Sequence, residues 1–167
     1  MSRAWAMPNA LTFTIKPIKE LVTRYLDGVS IDPFARDSNL ATYTNDLNPA
    51  TNAQSHMFAS EFLQGLKDDG VQADVIIFDP PYSLGQTKQC YQSFGKEFLQ
   101  KDAQNSHWGV EKDLCADLLV DGGVFLHFGW HSNGLGKKRN CEIIEIMLVA
   151  HGGGHHDTIC TVERKNG

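Results

Sequence analysis

The chain has 167 residues, of which 41% are hydrophobic and 21% charged, and its formal net charge is −5. That length suits one domain, residues 1–167, with a core large enough to need no staples, and the negative charge argues against a protein that coats nucleic acid through bulk electrostatics. No apolar run approaches the roughly 18 residues that cross a membrane, and the opening segment MSRAWAMPNALTF lacks the apolar core of a signal peptide, so the expected location is cytoplasmic.

Pro17 to Leu26 puts Ile18, Leu21, Val22 and Tyr25 at helical spacing, with a proline suited to a first turn. Val29-Ser30-Ile31-Asp32 reads as a short strand ending in a carboxylate, and Ala41 to Asn45 as the next, ending at Asp46. His56 to Leu66 has helical spacing through Phe58, Phe62, Leu63 and Leu66. Asp74 to Phe78 is a continuous apolar run, as expected of a strand buried on both faces. From Ser83 to about Trp108 the chain is polar and rich in Gln, Lys and Ser, with some helix expected around Gly95 to Lys101. A loop of that length is functional or disordered, and a lid over substrate is one such use.

Val110 to Leu119 reads as a helix, Gly122-Gly123 as a break and Val124 to Phe128 as a strand. Glu142 to Val149 and Thr158 to Glu163 read as strands joined by a turn at His151 to His155, which makes a hairpin. Cys90, Cys115, Cys141 and Cys160 form no C-x-x-C pair, which predicts reduced thiols, at least partly buried. His151, His155, His156, Asp157 and Cys160 are too loosely spaced to predict a metal site.

Strands alternating with helices predict an α/β fold, a mostly parallel sheet covered on both faces. The terminal hairpin is expected to add an antiparallel edge strand. Ligands in such sheets bind at the carboxyl ends of strands. Asp32, Asp46 and Asp79 each sit at such an end, so three carboxylates are expected to share one rim.

Asp79-Pro80-Pro81-Tyr82 follows the buried strand directly. An exocyclic amino group on an aromatic ring is a poor nucleophile, because its lone pair is delocalised. A carboxylate (Asp79) and a backbone carbonyl (Pro80, fixed by the neighbouring rings) that accept its N–H groups favour a tetrahedral nitrogen and free the lone pair. Tyr82 offers a face on which a flipped base stacks, a contact worth about 1–3 kcal/mol per base.

With these residues the sequence resembles the amino-methyltransferases that use S-adenosylmethionine and modify adenine N6 or cytosine N4. Asp79-Pro80-Pro81-Tyr82 matches that family's catalytic motif in full. Thr14-Ile15-Lys16-Pro17 resembles the segment beside the cofactor's methionine end, with Phe13 ahead of it. Ile31-Asp32-Pro33-Phe34-Ala35 resembles the first cofactor turn, and Asp46, before Leu47, sits where the family holds the ribose hydroxyls. Phe58 stands near the position where many relatives carry an acid that touches the cofactor's adenine amino group; it cannot accept that hydrogen bond, which leaves stacking by Phe58, or Glu61 or Asn52 in the acid's place. The likeness runs from about Phe13 to Lys165. It is marked towards compact phage-type adenine enzymes through Phe128-Gly129-Trp130 and Asn133-Gly134-Leu135-Gly136-Lys137-Lys138-Arg139.

The resemblance implies a Rossmann-like methyltransferase sheet, S-adenosyl-L-methionine as cofactor, and methyl transfer to adenine N6 in DNA with base flipping. The order of the motifs favours adenine. RNA adenine-N6 or DNA cytosine-N4 methylation stands as the enzymatic alternative. A non-catalytic nucleic-acid-binding subunit is the alternative of another class. Where relatives continue the cofactor turn with glycines, this chain reads Arg36-Asp37-Ser38-Asn39, so that loop must take another path, with Asp37 or Asn39 tolerating a left-handed backbone. Lys88, Trp130, Lys137, Lys138, Arg139 and His155 are the candidate nucleic-acid contacts. With no large target-recognition domain in the sequence, a short or relaxed recognition sequence, or a second subunit, is expected. A monomer or homodimer fits equally.

Overall fold

The computed structural model describes residues 1–9, 11–81 and 108–167. Tyr82, Lys88 and Cys90, and the polar stretch that begins at Ser83, lie outside these residues up to Trp108. The strands are β1 (Ser2–Trp5), β2 (Ser30–Asp32), β3 (Tyr43–Thr44), β4 (Ala73–Phe78), β5 (Leu119–Gly129), β6 (Cys141–Ala150) and β7 (Thr158–Lys165). The helices are α1 (Lys16–Tyr25), α2 (Ala59–Asp68) and α3 (Gly109–Leu118), with 3-10 turns at Thr12–Thr14 and Lys137–Arg139.

The seven strands form one sheet in the order β1-β6-β7-β5-β4-β2-β3. Every neighbouring pair is parallel except the two that β7 makes. The expected hairpin is present, but its second strand is not an edge. β7 turns back from β6 and inserts against β5, with Val124 opposite Arg164 and Gly129 opposite Ile159. The edge beyond β6 is taken by β1, a four-residue strand too short and too polar to show a period. Nor do Gly122 and Gly123 break the chain. They fall inside β5, where the β4 register shifts between Ala73 and Val75.

Alternation along β4 divides the core into two layers. Ile76 and Phe78 join Phe125 beneath α2 and α3, against Phe62, Leu63, Leu114 and Leu118. Val75 and Ile77 join Leu126 and Phe128 on the other face, against Ile18, Leu21 and Val22 of α1. Each large side chain buried this fully contributes about 1.5–3 kcal/mol relative to exposure. Because both faces are covered, β4 reads in the sequence as an unbroken apolar run.

One contact fixes β2 against β4 and so sets the rim. Asp74 accepts the Val29 N–H on Oδ2 (2.8 Å), and its own N–H bonds the Val29 carbonyl (2.8 Å). Gly28 lies alongside with φ +66°, and a Cβ there would overlap the Asp74 carboxylate. With Ile31 paired to Ile76, β2 and β4 finish at the same edge. Among the described residues no helix is long and apolar enough to cross a membrane. Cys115, Cys141 and Cys160 are buried free thiols, and burial pushes Cys141 up to about 11.

Candidate active site

Since β3, β2, β4 and β5 run parallel side by side, their carboxyl ends form one rim. Asp32 ends β2, Asp79 follows β4, and Asp46 lies just past β3. The three carboxylates feel one another. Burial first, then the charges of Asp79 and Asp46, hold the Asp32 carboxyl well above the ordinary carboxylate range, against the opposing pull of the Phe34 N–H and Arg36. Asp32 is wholly buried. Its Oδ1 accepts the Phe34 N–H at 3.1 Å, while Oδ2 meets no hydrogen-bond partner among the described residues. A buried acceptor left without a partner is uncommon and asks for a donor.

The turn from Asp32 to Ala35 is a packed structure in its own right. Pro33 and Ala35 are buried, and the Phe34 ring meets Phe78 (5.2 Å) and Trp108 (5.0 Å) edge-on. The left-handed residue in the glycine-poor loop is Arg36 (φ +52°), not Asp37 or Asn39. It is held there by Asp46, whose Oδ2 accepts the Arg36 N–H and whose Oδ1 accepts the Asn48 N–H, both at 2.9 Å. Asp46 therefore braces the loop, and further donors must share its oxygens. Asn45, which the sequence reading passed over, is the buried clamp of this rim. It donates to the Pro33 and Met57 carbonyls (3.2 and 2.9 Å) and accepts the Met57 N–H (3.1 Å). No sequence signal distinguishes such an asparagine from a turn residue. Leu47 is half-buried, and so is Phe58, whose carbonyl starts α2 by accepting the Phe62 N–H.

The Phe13 ring packs edge-on against Phe128 (5.5 Å), near the carboxyl end of β5. Thr14 bonds the Leu11 carbonyl (2.7 Å), Lys16 opens α1 exposed, and Pro17 occupies its first turn. Phe13 thus lies near the carboxyl end of β5, as the Asp32 turn lies at that of β2.

Pro80 is buried and Pro81 half-buried, and both line a cavity of about 150 Å³ with Trp108, Lys112, His127 and Trp130. His131 and Asn133 complete its outer wall. His127 stacks on His131 (5.5 Å) and lies over Phe78 (6.1 Å). Burial first, then the charges of Lys112 and His131, push it down to about 3, so it is a neutral imidazole at pH 7. Trp130 lies against His156 (4.4 Å between ring centres). His155, the candidate nucleic-acid contact beside it in the chain, is exposed.

The basic triplet is not a uniform patch. Arg139 spends its guanidinium on Asp113 (2.7 Å) and on the Leu135 and Gly109 carbonyls (3.3 and 3.4 Å). Lys137 and Lys138 are exposed just ahead of β6, towards the amino ends of the parallel strands, whereas the prolines and Trp130 stand at the carboxyl ends. Lys137 and Lys138 thus stand away from the cavity, while Arg139 lies beside the wall residue Lys112. Lys112 gives no signal in the sequence, because α3 buries Glu111 and Lys112 and exposes Val110, the reverse of what hydrophobicity alone suggests. Among the described residues no group of three or more His, Cys, Asp or Glu side chains is gathered for a metal.

No family model matches the chain, and no curated protein matches it. Solved structures do resemble its fold. A putative SAM-dependent methyltransferase from Streptococcus mutans superposes with a TM-score of 0.54 at 12% identity, over 87% of this chain and 47% of that one. NSun6 from Pyrococcus horikoshii with SFG gives 0.55 at 13% identity, over 84% and 48%. TrmN from Thermus thermophilus gives 0.55 at 15% identity, over 89% and 48%. The chain spans about half the length of these structures. Its fold is the mostly parallel, Rossmann-like sheet of these neighbours, with one antiparallel strand set inside.

Proposed function

We propose that this chain transfers the methyl group of S-adenosylmethionine to the N6 amino group of adenine in DNA, the base being flipped out of the duplex. The observation that carries the reading is the position of Asp79-Pro80-Pro81, straight after the buried strand β4, with both prolines lining a cavity that also has an aromatic wall. The likeness to a methyltransferase named as SAM-dependent supports the cofactor. The residues fit it: Asp32 Oδ2, without a partner among the described residues, sits buried on the rim, where a cationic or N–H-bearing ligand would be matched. Phe13, Thr14, Lys16 and Pro17 would border its methionine end and Phe34, Asp46, Leu47 and Phe58 its nucleoside end. Bound S-adenosylmethionine supplies a methyl group already activated on sulfur.

The chain's own residues prepare the nitrogen. Asp79 and the Pro80 carbonyl accept the two amino N–H groups and favour a tetrahedral, nucleophilic nitrogen. Tyr82 and Trp130 offer ring faces to the flipped base. Neutral His127 adds no charge to the wall that also holds Lys112. After transfer the surplus proton leaves through Asp79 to solvent.

The test is incubation with labelled cofactor and unmethylated duplex DNA, single-stranded DNA or RNA, followed by nucleoside analysis. N6-methyladenine in DNA is expected. Asp79→Ala should abolish transfer while calorimetry still registers cofactor binding. Cofactor binding without N6-methyladenine from the wild type rejects the reading. No cofactor binding at all favours the non-catalytic subunit.

A further inference from the structure

We infer that Lys112 determines specificity in the target cavity, donating from its ammonium to a ring acceptor on the flipped base. This rests on the proposed transfer to a nucleobase.

Lys112 is only 7% exposed and shares the cavity wall with Pro80 and Pro81. An ammonium has three donors. One is spent on the Asn133 carbonyl at 2.8 Å, and the others meet no acceptor among the described residues. No carboxylate there pairs with it. Glu163 acts on it through charge, but both Glu163 oxygens accept backbone N–H groups, from Leu135 and Gly136. Arg139 adds positive charge nearby, and His127 is neutral. The cavity wall therefore holds a buried cation with unspent donors. Burial accordingly lowers its pKa. Such a group is costly unless something completes its hydrogen bonds.

An amino-bearing base completes them. Its amino group gives N–H donors to Asp79 and the Pro80 carbonyl, and its ring nitrogens are acceptors with no counterpart in that pair. Trp108 Nε1 is also buried without an acceptor among the described residues. A charged donor, however, makes a hydrogen bond roughly twice as strong as a neutral one, so Lys112 carries the discrimination. A base whose facing edge presents N–H or C–H leaves the ammonium unpaired and is rejected.

The experiment replaces the target adenine, one ring nitrogen at a time, by its 1-deaza, 3-deaza and 7-deaza analogues, and measures kcat and KM for wild type and Lys112→Met. Methionine keeps the length and removes the charge, and a thermal melt confirms that the variant folds. Wild type should lose roughly 10–100-fold in kcat/KM on one analogue, the value of a charged hydrogen bond. Lys112→Met should lose a similar factor on adenine and be indifferent to that analogue. A wild type that treats all the analogues like adenine overturns the assignment, whether or not the variant folds. A variant weakened equally on every base, and in binding an abasic duplex, makes Lys112 a phosphate contact and also overturns it. Transfer to cytosine instead of adenine, with the same dependence on Lys112 and on one cytosine ring acceptor, upholds Lys112 and rejects the adenine reading alone. Transfer to no base by the wild type rejects both.

Discussion

Glu163 is the buried carboxylate on which the wall of the candidate active site hangs. It is 1% exposed on β7, and its oxygens accept the N–H groups of Leu135 (2.5 Å) and Gly136 (2.8 Å). Gly134 sits so close that a Cβ would overlap the same carboxylate. Through Leu135 and Gly136 it anchors the passage from Asn133, in the cavity wall, back to β6. Glu163→Gln keeps the shape but points an amide N–H at one of the two backbone donors. A hydrogen bond to a charged group contributes roughly 1.5–3 kcal/mol, and a buried donor left unsatisfied costs about 1–3 kcal/mol. The expected loss is about 2–4 kcal/mol for Gln and about 3–6 kcal/mol for Ala, which strands both donors. Against a total stability of about 5–15 kcal/mol, the Ala variant approaches the limit of folding. In urea, with a slope of about 1–3 kcal/mol per molar, the Gln midpoint should drop by roughly 1–2 M. A drop below about 0.3 M at unchanged slope would mean that the carboxylate does not hold this loop, and the reasoning would fail.

The pH dependence of stability should carry the mark of His127, held at about 3 when folded against 6.5 ordinarily. Between those values the unfolded chain binds a proton that the folded chain refuses, so the contribution is complete above about pH 6.5 and falls as pH drops towards 3. Wild type should lose about 2 kcal/mol between pH 7 and 5 that His127→Gln does not; parallel stability curves for the two proteins would refute the buried neutral imidazole. Asp32→Asn retains the oxygen that caps Phe34 and removes a carboxyl whose charge burial opposes. It should therefore melt no lower than wild type at pH 8 and bind S-adenosylmethionine about tenfold or more weakly by calorimetry, the loss expected for one charge-assisted contact. A clear destabilisation with unchanged affinity would make Asp32 purely structural.

The sequence by itself determined the elements with a strong local cause. The apolar run at Asp74–Phe78 follows from a strand covered on both faces, the helix after Pro17 from its 3.6-residue period, and the carboxylates from their places at strand ends. Asp79-Pro80-Pro81 was legible because its geometry is local, set by a strand end and proline rings.

What only the tertiary structure decided is whatever depends on which strand lies beside which. The insertion of β7 between β5 and β6, and the pairing of Ser2–Trp5 at the edge, are long-range choices that no local period encodes. The same holds for the partners of single polar groups. Nothing in the order of residues tells that Asp46 braces Arg36, that Arg139 is consumed by Asp113, that His156 meets Trp130, or that α3 turns Lys112 inwards and Val110 outwards. A hydrogen bond or a buried charge is a relation between residues distant in the chain. The sequence supplies the groups, and packing alone decides which of them remain unspent.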